Sequence, residues 1–418
     1  MTRYFIIGGG PAGATAALEI RKLDPSGEIS IVSNEDYQFY KRSKIINLIS
    51  ASCSEDDLFL KGKKIYDENN IKFINNHVKR VIPGKNQIIL ENGTIYYYNY
   101  LLIASGGSPI MLPWRGVNLE GIHTLYNLDD AKKVAEKVCN AKQVVIIGGG
   151  AIAMKAIQNF KKIGLKISII EKASHLWPIG FDRKVGRIIE KKIKENGIQI
   201  YLNEEVVEFR GENNKLSSVV LKSGREIPAD LAVITIGMRP NIDFLMDSGI
   251  KVDRGVLVDM YMRTNFSTIF AAGDVVQIYD PLYETPILHP TWGNAKRQGK
   301  IAARNMTGGN EEYQGIIPIQ TIKIFGFTAI AVGITHSKKN FDEISLVSFE
   351  KERSRKFVFK NNHLIGILVL GKDINKKVLK PILKKAVLNQ VIIKDLTSLL
   401  SEIDSDFNLI VDEITGLI

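Results

Sequence analysis

The chain has 418 residues, 45% hydrophobic and 24% charged, more than one hydrophobic core usually supports, so two or three domains able to bury a large cofactor are expected. No unbroken apolar stretch is long enough to cross a bilayer, and the first residues, MTRYFIIGGG, enter a strand too soon for a secretory signal, so a cytoplasmic protein is expected. The formal charge of +11, from 56 Lys+Arg against 45 Asp+Glu, reads as a lysine-rich solvated surface, and short runs such as KGKK and KKIK without interleaved aromatics argue against nucleic acid.

The first stretch, RYFIIGGGPAGATAALEIRKLDPSGEISIVSNE, predicts strand, glycine turn, helix and strand, a βαβ unit opening a parallel sheet. Ala16, Leu18, Ile20 and Leu23 form the apolar face of the helix, and PSG ends it. Gly8 allows the tight turn, Gly10 lets the backbone approach a pyrophosphate at the helix N-terminus, and Gly13 permits close helix packing. Glu35 closes the second strand, where a carboxylate accepts hydrogen bonds from a ribose. The next segment, YKRSKIINL, holds Tyr40, Arg42, Lys44 and Asn47, followed by Cys53 in SASCSED. Short strands with turns at PGKN and ENG follow, ending in the apolar run before ASGGSP.

The same order recurs at QVVIIGGGAIAMKAIQNFKKIGLKISIIEK, 140 residues after the first turn, with Gly164 as the break. That spacing is too long for a solenoid and fits a duplicated dinucleotide-binding domain. Here the turn carries Gly148 and Gly150, but Ala153 replaces the third glycine, and Glu171 closes the strand. A carboxylate at Glu171 repels a 2′-phosphate and accepts from a free 2′-hydroxyl, so NADH is expected over NADPH, with Lys172 beside it pulling the other way. A second run of short strands leads to ITIGMRPN, then IFAAGDV and HPTWGNAKRQG. From about residue 316, alternating runs such as QTIKIFGFTAIAVG predict an antiparallel sheet, then a helical pattern near VLKPILKKAVLNQ. In the tail, Leu396, Leu399, Leu400 and Ile403 recur at helical spacing, suited to capping this third domain or docking on another chain. Cys53 and Cys139 lie far apart, with no CxxC pair or metal-ligand spacing, and no metal site is expected.

In these segments the chain resembles a known family, the flavoproteins with two dinucleotide-binding domains of the pyridine nucleotide-disulfide oxidoreductase superfamily. Within it the likeness is to NADH-dependent rubredoxin and ferredoxin reductases, NADH oxidases and the flavin module of NADH nitrite reductases. ASGGSP matches the family's ATG segment at the crossing between domains, and ITIGMRPN its counterpart at the return. IFAAGDV is similar to the second FAD signature, in which Asp274 holds the ribityl chain, and HPTWGNAKRQG resembles the segment whose helix N-terminus faces the flavin pyrimidine edge. Tyr40 and Arg42 match its YxR pattern.

Taken with the motifs, the resemblance implies FAD contacts by Gly8, Gly10, Pro11, Ala12, Gly13, Glu35, Arg42, Val78, Ala104, Ser105, Gly106, Gly273, Asp274, Thr291 and Trp292. It implies nicotinamide-nucleotide contacts by Gly148, Gly150, Ala151, Ile152, Ala153, Lys155, Glu171 and Gly237. No side chain is assigned as catalytic, since the flavin carries the chemistry; Arg42 and Lys44 are candidate flavin contacts. The chain departs from the family in three places: no thiol stands in YKRSKIINL, Asn47 replaces an expected lysine, and Lys155 replaces an expected glutamate. His289 is read as structural or flavin-contacting rather than as a general acid, and Trp292 as packing or shielding the ring.

The expected fold is α/β, two Rossmann-like dinucleotide-binding domains of glutathione-reductase type plus a small α+β C-terminal domain. The expected boundaries are an FAD domain from 1–115 and 240–315, an NAD domain from 116–239 and an interface domain from 316–418. The expected function is electron transfer between NADH and an external acceptor, an acidic iron–sulfur or rubredoxin-type protein or partner subunit. A complex or oligomer would form through the C-terminal domain. The alternatives are an NADH oxidase using oxygen or a small oxidant, and a non-catalytic FAD-binding assembly subunit.

Overall fold

The structure, a computed structural model, describes residues 1–60, 64–280, 283–335, 341–372, 374 and 387. The helical pattern near 378–390 and the tail from residue 394 lie outside the described residues, apart from residue 387. Among the described residues five α-helices occur: α1 (Pro11–Leu23), α2 (Leu128–Val138), α3 (Ala151–Ile163), α4 (Arg183–Glu195) and α5 (Trp292–Met306). The chain divides into two compact units, one of Met1–Ile45, Cys53–Ile110 and Gly237–Ile316, the other of Ile46–Ser52, Met111–Ile236 and the described residues from Ile317 onward.

The first unit is built on a parallel sheet. Its strands lie in the order Ile269–Ala271, Tyr100–Ile103, Arg3–Ile7, Glu28–Ser33, Ile71–Asn75, each paired parallel with its neighbour. Both faces of such a sheet are covered, so its central strands read as continuous apolar runs: Tyr4, Phe5, Ile6 and Ile7 are all buried. Ala14, Ala16, Ala17 and Ile20 of α1 are fully buried in the same core. Leu23, expected on that face, is half exposed, because it is the last residue of α1 and the chain turns away at Asp24. α5 crosses α1 closely. A Cβ built on Gly299 would lie 2.2 Å from the Ala12 carbonyl oxygen, so only glycine permits this approach. An antiparallel sheet of Val78–Ile82, Gln87–Leu90 and Ile95–Tyr97 completes the unit's larger elements.

The second unit repeats the scheme. Its parallel sheet runs Ile122–Thr124, Leu231–Ile234, Gln143–Ile147, Lys166–Glu171, Gln199–Leu202. Four strands, Leu231–Ile234 to Gln199–Leu202, repeat the order of the first unit, while the edge strand Ile122–Thr124 precedes them in the chain where Ile269–Ala271 follows; a three-stranded antiparallel sheet, Val206–Glu212, Lys215–Leu221 and Glu226–Pro228, again accompanies the parallel one. The second unit also contains a five-stranded antiparallel sheet in the order Ile319–Ile324, Phe327–Gly333, His363–Lys372, Arg353–Lys360, Asp342–Ser348. Two polar clusters dock this sheet on its own unit. Lys356, 2% exposed, meets Glu343 at 2.8 Å and the α4 cap Asp182 at 3.5 Å. Glu352 is held by Lys192 at 2.7 Å and Lys372 at 3.4 Å, and these cations hold its carboxyl below the usual range.

Candidate functional site

Both glycine turns are built alike at the backbone. Gly8 and Gly148 adopt φ of +108° and +94°, and a Cβ there would strike the carbonyl oxygen of Ala104 at 2.1 Å or of Thr235 at 2.7 Å. Each therefore needs glycine twice over, for conformation and for space. A Cβ on Gly10 or Gly150, by contrast, meets nothing within 4 Å, so the backbone there borders open space.

What lies at the head of each helix is equally telling. Among the described α-helices, α2, α4 and α5 are capped by the side chains of Asn127, Asp182 and Thr291. α1 and α3, which follow the glycine turns, have no side-chain cap and no acidic residue in the first turn. Their first N–H groups and the positive end of the helix dipole could take an anionic ligand, and Pro11 at the first position of α1 keeps the helix pre-set.

The third position explains the asymmetry of the turns. A Cβ on Gly13 would lie 2.0 Å from the Gly8 carbonyl oxygen, whereas Ala153 carries its methyl fully buried. The supports differ too. The Tyr66 hydroxyl, wholly buried, donates to the Gly9 carbonyl at 3.2 Å in the first turn. In the second, Thr235 Oγ1 donates to the carbonyls of Ile147 and Gly148 at 3.1 and 3.0 Å, and Glu171 Oε2 accepts from Gly149 N–H at 2.6 Å. Glu171 Oε1 accepts from Ala173 N–H at 2.8 Å, so the carboxylate expected beside a ribose is clamped at the turn. Lys172 is drawn off to Glu205 at 3.0 Å.

In the first unit Glu35 accepts from the Tyr40 hydroxyl and pairs with the Arg42 guanidinium, which also lies 5.4 Å from the centre of the Tyr40 ring. Asp274 is half-buried, and burial pushes its carboxyl up to about 6, with Arg42 opposing. Gly273, at φ +90°, donates its N–H to Gln298 of α5 at 2.8 Å, which fixes the segment that carries Asp274. Asn241 knits the crossing segment: its side chain bonds to the Ser105 carbonyl and the Ser108 hydroxyl, and its backbone to Ser105 Oγ and the Gly106 carbonyl. Thr291 caps α5, and Trp292 stacks on Phe39 with ring centres 5.5 Å apart. Val78 opens its strand, half-buried against the unit's core.

The remaining expected residues are placed as follows. Ala151, Ile152 and Ala153 form the first turn of α3, with Ile152 exposed. Lys155 follows one turn on; it is exposed and makes no ion pair among the described residues. Gly237, expected at the nucleotide of the second turn, is the first residue of the returning segment of the first unit. Lys44 is exposed. Burial and Asp57 push the Cys53 thiol up, so its thiolate is disfavoured, and Cys139 is exposed and unpaired. Among the described residues no cluster of three or more His, Cys, Asp or Glu could hold a metal ion, and no helix is long and apolar enough to cross a membrane.

Tyr66, Thr235, Asn241 and Gln298 were not singled out from sequence, because each acts from another strand or helix and no local spacing announces it. Thr235 and Asn241 stand within ITIGMRPN, a segment whose place at the return crossing was the available signal.

The family described as pyridine nucleotide-disulphide oxidoreductase matches residues 2–299, and the chain belongs to it. The family and the relatives of the chain are FAD- and NAD(P)H-dependent oxidoreductases. The NADH-rubredoxin oxidoreductase of Clostridium acetobutylicum is 30% identical over 342 residues, covering 81% of this chain and 83% of that protein. The assimilatory nitrate reductase electron transfer subunit of Bacillus subtilis is 26% identical over 385 residues, 90% of this chain but 48% of that protein, so the chain spans about half the length of that relative. Among solved structures, the NAD-dependent persulfide reductase from A. fulgidus superposes with a TM-score of 0.89 at 23% identity, over 100% of this chain and 84% of that one.

Proposed function

We propose that the first turn holds FAD, that the second holds NADH, and that electrons pass from NADH to an external one-electron acceptor, an acidic iron–sulfur or rubredoxin-type protein or a partner subunit. The observation that carries this reading is the pair of uncapped helices behind the two open glycine turns, each followed by a strand with a carboxylate at its end (Glu171) or two residues past it (Glu35). FAD supplies the capacity to take two electrons together and release them singly.

The chain's residues would bind and orient. Glu35 and Glu171 accept from ribose hydroxyls, the first N–H groups of α1 and α3 take the pyrophosphates, and Arg42 and Asp274 flank the FAD. Glu171 faces a 2′-hydroxyl and rejects a 2′-phosphate, which favours NADH. The proposed partition is an FAD domain from 1–115 and 240–315, an NAD domain from 116–239 and an interface domain from 316–418 through which a complex forms. These 418 residues hold two cysteines, too few for a four-thiolate cluster, so an acceptor of that kind would lie outside them. A relative that reduces rubredoxin and another that is an electron transfer subunit support a protein acceptor.

The test is anaerobic mixing of the yellow protein with NADH. Loss of the flavin band within seconds is expected, followed by its return on adding an oxidised ferredoxin or rubredoxin. Persistent colour at millimolar NADH would sink the enzyme reading and leave the second one, a non-catalytic FAD-binding subunit, which Lys155 on α3, without an ion pair among the described residues, favours. Rapid return with oxygen but none with either protein would make it an oxidase.

A further inference from the structure

In the first unit the strands Val276–Asp280 and Thr285–Leu288 form an antiparallel hairpin, and its last residue before the turn reaches the residue that follows the second strand. Asp280 Oδ2 and His289 Nε2 lie 2.7 Å apart, and the two residues are 3% and 8% exposed. The His289 carbonyl accepts from Thr291 N–H at 2.8 Å and from Asn294 Nδ2 at 3.1 Å. Asn294 is itself 1% exposed and takes the hydroxyl of buried Tyr313 on its Oδ1 at 2.7 Å. The Tyr283 ring meets the imidazole edge to face, with centres 5.8 Å apart.

A buried ionisable pair is a poor way to gain stability, since apolar side chains of the same volume often serve as well, so its retention asks for another reason. These bonds gather on His289 and on Asn294 in the first turn of α5. Thr291 caps that helix, Trp292 begins it and lies on Phe39, and further along Gln298 holds Gly273 beside Asp274 while Gly299 touches Ala12 of the first turn's helix.

We propose that the Asp280–His289 pair is a positioning device that fixes the N-terminal turn of α5 and thereby sets the reduction potential of the bound flavin. The proposal rests on the FAD reading of the first unit. The N-terminus of a helix carries the positive end of its dipole, and its effect on a developing negative charge falls off within a turn. On the FAD reading Thr291 and Trp292, at this helix start, are contacts of the cofactor, so a start that is held in place would stabilise the reduced flavin, and one that drifts would stabilise it less and lower the potential.

The experiment uses the FAD-loaded full chain with His289→Ala, His289→Gln and Tyr313→Phe. Bound FAD is read from the absorbance spectrum, and the anaerobic equilibrium with a reference dye gives the potential. In His289→Ala that equilibrium should shift about tenfold toward oxidised flavin, about 30 mV for a two-electron couple. Gln keeps a donor near the place of Nε2 and should recover most of the shift, while Tyr313→Phe should move it less, in the same direction. An unchanged equilibrium in His289→Ala with FAD bound overturns the proposal, as does a shift that His289→Gln fails to reverse at equal FAD content. If His289→Ala loses FAD or does not fold, Tyr313→Phe decides, and a wild-type potential there overturns it. A wild-type chain that binds no FAD removes the reading beneath it, and the missing yellow band separates that failure from an unchanged potential.

Discussion

Glu171 does two things with one carboxylate, and substitutions separate them. It accepts from Gly149 N–H and Ala173 N–H while facing the place proposed for the ribose. Glu171→Gln keeps one of the two acceptors and loses the charge, so the NADH preference over NADPH should narrow with a smaller loss of NADH binding than in Glu171→Ala. Glu171→Ala should also weaken NADH, by about 1–3 kcal/mol for the orphaned amide. The ratio of kcat/KM for the two nucleotides measures both, and a wild type that prefers NADPH would refute the ribose assignment. Asp274 makes a different prediction. Its carboxyl is raised to about 6 by burial, so the folded chain binds more protons than the unfolded one between about pH 4 and 6. Folding of the FAD-free protein should therefore weaken as pH rises through 6, and Asp274→Asn should remove that dependence and raise the melting temperature at pH 8. A melting series from pH 5 to 8 that leaves the two proteins parallel would refute it. For the thiols, Cys53→Ser with Cys139→Ser should reduce the acceptor at the wild-type rate, because burial keeps Cys53 protonated and nothing ties either sulfur to the site. A collapse of turnover with FAD still bound would reverse that.

Between elements, the tightest demand is at the crossing of α1 and α5. Gly299→Ala would push a methyl to 2.2 Å from the Ala12 carbonyl and should cost about 1–3 kcal/mol in urea unfolding, since the obstacle is backbone and cannot rotate away. A wild-type midpoint would mean that the helices separate freely. Much at this scale was legible in sequence: the runs YFII and QVVII, their glycine turns and the acid ending each following strand suffice to draw two βαβ units. The matching order of four strands in each sheet extends the repeat beyond what a motif contains. What holds the turns was not legible. Tyr66 reaches Gly9 across 57 positions, Thr235 reaches Gly148 across 87 and Asn241 reaches Ser105 across 136, and residue types with no local pattern carry no signal at such distances. The half-exposed Leu23 shows the converse error, an apolar residue assigned to the core by period alone when the helix was already ending.

For the whole molecule the informative quantity is charge. A formal +11 favours encounter with an acidic partner, and such steering is screened over roughly 8–10 Å at ordinary ionic strength. Electron transfer to an acidic ferredoxin should slow several-fold between low and moderate salt, while transfer to a small neutral dye should hardly change. Equal responses across the series would refute a steered protein acceptor. Here the sequence was least informative, because net charge names a class of partner and no surface. The tail from residue 394, the expected docking helix, lies outside the described residues.

The bond from Gly149 N–H to Glu171 orders the routes by which this protein could change its reductant. A lineage drifting toward NADPH would have to give up the carboxylate, and the first step would loosen the turn before any new affinity existed. The accessible path begins with a neutral acceptor at 171 and only then adds a cation for the 2′-phosphate. On the ribose assignment proposed above, Lys172, now paired with Glu205, is the neighbouring candidate for that cation, so the order of two substitutions, rather than either alone, would decide whether the switch can evolve.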